Sequence, residues 1–200
     1  MKNRIKSIAF MGIFIALVLG VGYALVLVPN VELVTAMIFL SGVLMGIKRG
    51  IFVGIIGEFL FSALNPVGSG LLFPPMLITQ VISMGFIGAV GGLLRQYIIN
   101  WKPKPINVIV IGAVSFTITL LYDIFVSLAF PISAGFNFKE TIGVVVASGI
   151  AFSVIHLIVN TIIFITLVPV TAQMIIKAVP YFSDICKREM EKPLMDTKYH

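Results

Sequence analysis

From Ser7 to Val28 the chain runs without a charged side chain, and it stops at Pro29-Asn30. A helix crossing a bilayer needs about 20 consecutive apolar residues, so this run alone decides the solvent in which the chain must fold. It is too long for a signal-peptide core, and no small-x-small cleavage site follows, so it reads as a retained first helix. Further apolar runs cover Val31–Ile47, Ile51–Leu64, Met76–Leu94, Ile106–Phe130 and Thr141–Val168. Composition agrees with the pattern. Of 200 residues, 59% are hydrophobic and 11% charged, against about 45–50% and about 25% in soluble domains. A water-soluble enzyme, a nucleic-acid binder and a disordered chain are excluded. The single cysteine, Cys186, excludes an internally disulfide-bonded scaffold.

The expected fold is an all-α integral membrane protein with six transmembrane helices. Residues 1–178 form the transmembrane domain and 179–200 a cytoplasmic tail; the sequence turns more polar from Pro169. The second and third runs are short and flank Gly46-Ile47-Lys48-Arg49-Gly50, which reads as the tip of a tight hairpin. Asn65–Pro75 is dense in helix breakers and reads as a loop. Arg95–Pro105 is a basic loop with Tyr97 and Trp101 as interface anchors, and Pro131 ends the fifth span. All of the 14 basic residues except Lys139 fall on one side of this arrangement. That bias places both termini in the cytoplasm and the chain in the cell membrane. Pro29-Asn30, Asn65–Pro75 and Pro131–Glu140 are then the outer segments.

Ionisable groups within spans are expensive and usually face a cavity or a partner. Glu58, Asp123 and His156 are such groups, with Glu32 at the outer start of span two, where an interfacial charge and a functional one are equally consistent. Helical spacing aligns Ser115, Thr119, Asp123 and Ser127 on one face of span five, and His156 with Asn160 on span six. Glu58, Ser62 and Asn65 follow the same spacing on span three, and Gln80 lies about four residues into span four. At about 1.5 Å per residue most of these groups fall in the outer half. Interhelical hydrogen bonding accounts for Ser115, Thr119 or Asn160 equally well. Neither HExxH nor a paired-histidine spacing supports a metal site. No GxSxG elbow supports a catalytic serine, and the chain has no Gly-Lys pair with which to build a P-loop. No catalytic residue, metal or cofactor is expected, and any ATP-driven role must borrow its motor.

Small residues recur at intervals of four: Gly12, Ala16 and Gly20 on span one, Gly50 and Gly54 on span three, Gly88 and Gly92 on span four. Such faces permit close backbone approach. Those on spans three and four suit packing within the bundle, whereas the face on span one suits a second subunit.

Taken together, the chain resembles the S component, the substrate-binding subunit, of energy-coupling factor (ECF) vitamin transporters. The resemblance runs from about Lys6 to Ala178. It rests on size, six spans, Gly12 and Ala16 in span one, Pro29-Asn30-Val31-Glu32-Leu33 ahead of span two, and the Gly46–Gly50 hairpin. The stretch Asn65-Pro66…Gly68-Ser69…Phe73-Pro74-Pro75 with Gln80, then Tyr122-Asp123 and His156…Asn160…Pro169, completes it. The resemblance implies capture of a vitamin or related micronutrient near the outer face, in a pocket lined by the first outer loop and helices four to six. It implies docking on a membrane T component that carries two ATP-binding subunits, and inward delivery by toppling when ATP is hydrolysed. The family's AxxxA docking pattern maps onto Gly12 and Ala16, with glycine replacing the first alanine. The expected substrate-binding set is Asn30, Glu58, Asn65, Gln80, Thr119, Asp123, His156 and Asn160; the partner-docking set is Gly12, Ala16 and Gly20. The carboxylates, with no Lys or Arg inside a span, favour a neutral or cationic ligand such as a cobalamin- or thiamine-like molecule. A self-contained, ion-coupled secondary transporter using Asp123 or Glu58 as a proton relay is the alternative, although no internal repeat supports it.

Overall fold

The computed structural model describes residues 2–28 and 31–185. Among these the chain is helical without a strand: α1 (Lys2–Leu25), α2 (Val34–Met45), α3 (Ile47–Ala63), α4 (Pro74–Leu93), α5 (Arg95–Ile99), α6 (Pro105–Ser133), α7 (Phe138–Thr166) and α8 (Val168–Ala178), with a 3-10 turn at Gly70–Leu72. Asn30, Cys186 and the charged end of the chain lie outside the described residues. Among the described residues four helical stretches are long and apolar enough to cross a membrane: Arg4–Leu25, Pro74–Leu93, Pro105–Ser133 and Phe152–Ala178. Helices α2 and α3, of 12 and 17 residues, are shorter. A helix apolar all round belongs in an interior, and α2 fits that rule, since every residue in it except Met37 is buried.

Several boundaries differ from the sequence reading. The turn between α2 and α3 is Gly46 alone, with φ at 87°. Glycine takes that left-handed value without steric penalty, so one residue breaks the helix and Lys48-Arg49 open α3 instead of forming the turn. Arg49 then donates to the Met45 carbonyl (3.2 Å). Part of the expected basic loop folds as α5, because Ile98 and Arg95 are buried. Pro131 does not stop α6: it lies inside the helix, two residues before its end at Ser133. The expected outer segment Pro131–Glu140 shrinks accordingly to residues 134–137. Pro169, expected to open a polar stretch, lies in the first turn of α8, where proline is tolerated. Beyond α8, Tyr181 and Phe182 are buried against Phe10 of α1, with ring centroids 4.9 and 4.7 Å from it.

Glycine sets the closest packing. A Cβ on Gly42 would lie 2.7 Å from the Gly92 nitrogen, and one on Gly54 would lie 2.7 Å from the Met84 carbonyl carbon. Gly50 and Gly88 meet backbone to backbone in the same way. Helices α2, α3 and α4 therefore form one tightly joined slab, and the small-residue faces of spans three and four are consumed inside it. The face of α1 is not. Phe14 and Val18 are buried, whereas Gly12, Ala16 and Gly20 are exposed, and neither glycine has a neighbour within 4 Å of where a Cβ would sit. Helices α6 and α7 pair along their length and join the slab mainly through α4.

Candidate functional site

A cavity of about 430 Å³ opens at the end of the bundle where α1, α3 and α6 finish and α2, α4 and α7 begin. That size falls in the range of small-molecule sites, about 300–1,000 Å³. Its walls are mostly apolar, including Leu25 at the end of α1 and Val26 just beyond it, Phe61 on α3, Met76 and Met84 on α4, and Phe152 on α7. Into them project Glu32, Glu58, Gln80, Asp123, Ser127 and His156.

The polar groups form two sets. On α3 and α4, the Ser62 hydroxyl lies 2.8 Å from Glu58 Oε1 and 3.3 Å from Gln80 Oε1. Glu58 is only 2% exposed, and its Oε2 has no hydrogen-bond partner. The second set joins three elements. His156 Nδ1 is 2.8 Å from Asp123 Oδ1, so α7 is tied to α6. His156 Nε2 is 3.0 Å from Asn160 Nδ2, the i, i+4 neighbour on the same face. Asn160 Nδ2 also reaches Glu32 Oε1 (3.2 Å) and Thr119 Oγ1 (3.4 Å). His156 Nε2 also lies 3.6 Å from Glu32 Oε1, so the imidazole is flanked by two carboxylates, Asp123 at Nδ1 and Glu32 at Nε2. Glu32 Oε2 meanwhile accepts from the Thr35 amide (2.9 Å), capping α2.

The expected site residues thus separate. Glu58, Gln80, Asp123 and His156 line the cavity; behind it Asn160 contacts His156 and Glu32, and Thr119 contacts Asn160. Asn65 does not line it: its Oδ1 accepts from the Val67 amide (2.9 Å), a local turn bond that helps close the 64–73 loop. Glu32, which sequence left between two readings, belongs to the cluster. Tyr122 and Phe152 were missed as lining residues. Phe152 sits four before His156, so helical spacing from a named polar residue was the available signal. The Tyr122 and Phe152 rings stand 6.3 and 6.1 Å from the imidazole.

Both imidazole nitrogens are turned to protein groups, Nδ1 to Asp123 and Nε2 to Asn160 and Glu32. Glu58 Oε2 and Asp123 Oδ2 are buried acceptors without partners. Leaving such groups unpaired costs about 1–3 kcal/mol each, and a ligand offering N–H or O–H donors recovers that cost.

Residues 2–173 match the family model described as ECF-type riboflavin transporter, S component. No curated protein and no solved structure matches the chain.

Proposed function

The chain belongs to the S-component family of ECF transporters, a family of multi-pass transporter subunits and not of enzymes, and on that premise we propose that it captures riboflavin. The one-sided distribution of Lys and Arg supports termini on the cytoplasmic side of the cell membrane, and in that orientation the cavity opens outward. Docking through Gly12, Ala16 and Gly20 on the T component and its two ATP-binding subunits then delivers the vitamin inward. The observation that carries this reading is the apolar, aromatic-edged cavity with vacant buried acceptors at the loop end of the bundle. Riboflavin suits it: a flat tricyclic ring for the apolar walls, and an imide N–H and ribityl hydroxyls for the acceptors. It is also neutral, within the charge class expected from the sequence, and it replaces the cobalamin- or thiamine-like ligand suggested there.

Riboflavin fluorescence tests the reading. Titrating the purified chain in detergent should quench it with one site per chain, while thiamine and cobalamin leave the signal unchanged. Saturable binding of thiamine or cobalamin in place of riboflavin overturns the assignment. Uptake that proceeds without the ATPases and collapses with the proton gradient supports the ion-coupled alternative instead.

A further inference from the structure

Between Glu58 and Arg95 the chain carries no charged side chain, although that stretch includes the whole connection from α3 to α4. We propose that this connection, residues 64–73, is a lipid-binding surface, lying in the boundary between headgroups and acyl chains at the cavity end of the bundle.

Three observations carry this. The first is length. Helix α3 has 17 residues and opens with Lys48-Arg49, charges that hold its start at the opposite interface. At about 1.5 Å per residue it rises about 25 Å, less than the about 30 Å of the hydrocarbon core. Helix α4, with 20 residues, just covers that thickness, so the connection between them stays at the edge of the apolar layer. The second is the exposed surface. Leu64, Val67, Leu71 and Leu72 are exposed, Leu72 at 85%. Apolar surface of this kind marks a contact with protein or membrane. It continues without a charge onto Ile78 and Ile82, exposed on one face of α4, the face a spanning helix turns to lipid. Phe73 stacks 5.8 Å from Phe130, and Phe130 5.7 Å from Phe136, which carries the same surface across to the end of α6. The third is the backbone. Polar main-chain groups at membrane depth must be satisfied within the protein. Here the Val67 amide donates to Asn65 Oδ1 (2.9 Å) and the Gly68 amide to the Asn65 carbonyl (3.3 Å). The Leu71 amide donates to Ser69 Oγ (3.2 Å), that of Leu72 to the Ser69 carbonyl (3.2 Å) and that of Phe73 to the Gly70 carbonyl (3.1 Å). Pro66, Pro74 and Pro75 have no N–H to satisfy. The Ser69 hydroxyl donates to the Ala63 carbonyl (2.7 Å), one of those that the end of α3 leaves open. A connection that needed water would not spend its donors inward and turn its leucines out.

Tryptophan fluorescence of the full chain in phosphatidylcholine vesicles tests the proposal. The sequence has one tryptophan, Trp101, so a Trp101→Phe background reports only the residue introduced. Leu72→Trp probes the connection, Ile82→Trp gives the lipid reference on α4, and Lys104→Trp gives the aqueous reference. Emission from Leu72→Trp should lie to the blue of Lys104→Trp. Lipid brominated in the upper part of its acyl chains should remove at least as large a fraction of it as of Ile82→Trp, and acrylamide a smaller fraction than of Lys104→Trp. Quenching by acrylamide equal to that of Lys104→Trp, with bromolipid without effect, places the connection in water and overturns the proposal. Shielding from both quenchers also overturns it, because protein then covers the surface. Leu71→Trp, read by the same criteria, replaces Leu72→Trp if that variant does not reconstitute. Riboflavin binding does not enter these readouts, so the transport reading stands or falls separately.

Discussion

Replacing Asp123 with alanine tests the site at its most connected point. The side chain is 7% exposed, accepts from His156 Nδ1 at 2.8 Å through one oxygen and leaves the other vacant. Alanine removes a hydrogen bond to a charged acceptor on the ligand side, worth about 1.5–3 kcal/mol. It also frees the imidazole to rotate. At about 1.4 kcal/mol per tenfold, Kd for riboflavin should rise by about ten- to a hundredfold. The loss should not be additive with His156→Ala. Because the two groups share one bond, the double variant should fall short of the summed effects by about 0.5–3 kcal/mol. Fluorescence titration of the two single variants and the double gives all the values, and size-exclusion profiles in the same detergent check that each remains folded. Folded Asp123→Ala with a Kd within threefold of the parent, or strict additivity with His156→Ala, would refute the argument that this pair organises the site.

Three further outcomes follow from the packing. Gly88→Ala places a methyl group against the Gly50 carbonyl; separating the backbones should cost about 1–3 kcal/mol or more, visible as a lower melting temperature in detergent, whereas Gly12→Ala should leave that temperature unchanged. Gly12→Leu and Ala16→Leu should spare riboflavin binding yet abolish co-purification with the T component; retained co-purification removes this face as the docking surface. Phe10→Ala strips α1 of its stack with Tyr181 and Phe182; Phe10 is half-buried, so the cost falls below the about 3–5 kcal/mol of a fully buried Phe→Ala change. Limited proteolysis should then cut the chain after Ala178 faster than in the parent.

What the sequence disclosed about the fold was what charge and length control. Apolar runs located α1, α4, α6 and α7, because lipid imposes its own dimension on a helix. It misplaced what single backbone angles and tertiary burial control. Nothing in Gly46-Ile47-Lys48-Arg49-Gly50 says which glycine takes the positive φ, and α5 forms because Ile98 finds a buried place between helices distant in sequence. The site was legible wherever helical spacing linked one polar residue to another: Asp123 with Thr119, His156 with Asn160, and Glu58 with Ser62. Asn65 obeyed the same spacing and still left the set, because α3 ends at Ala63 and the period no longer applies beyond it. Glu32 was undecided for the opposite reason. It precedes its helix, so no period pointed at its partners on α7.

Glu32 fastens two elements at once. One of its oxygens holds the first turn of α2 and the other holds Asn160 on α7, while Val28 and Val31 beside it form part of the cavity wall. Both fastenings run through one carboxylate, so loss of that single side chain loosens the start of α2 and its tie to α7 together.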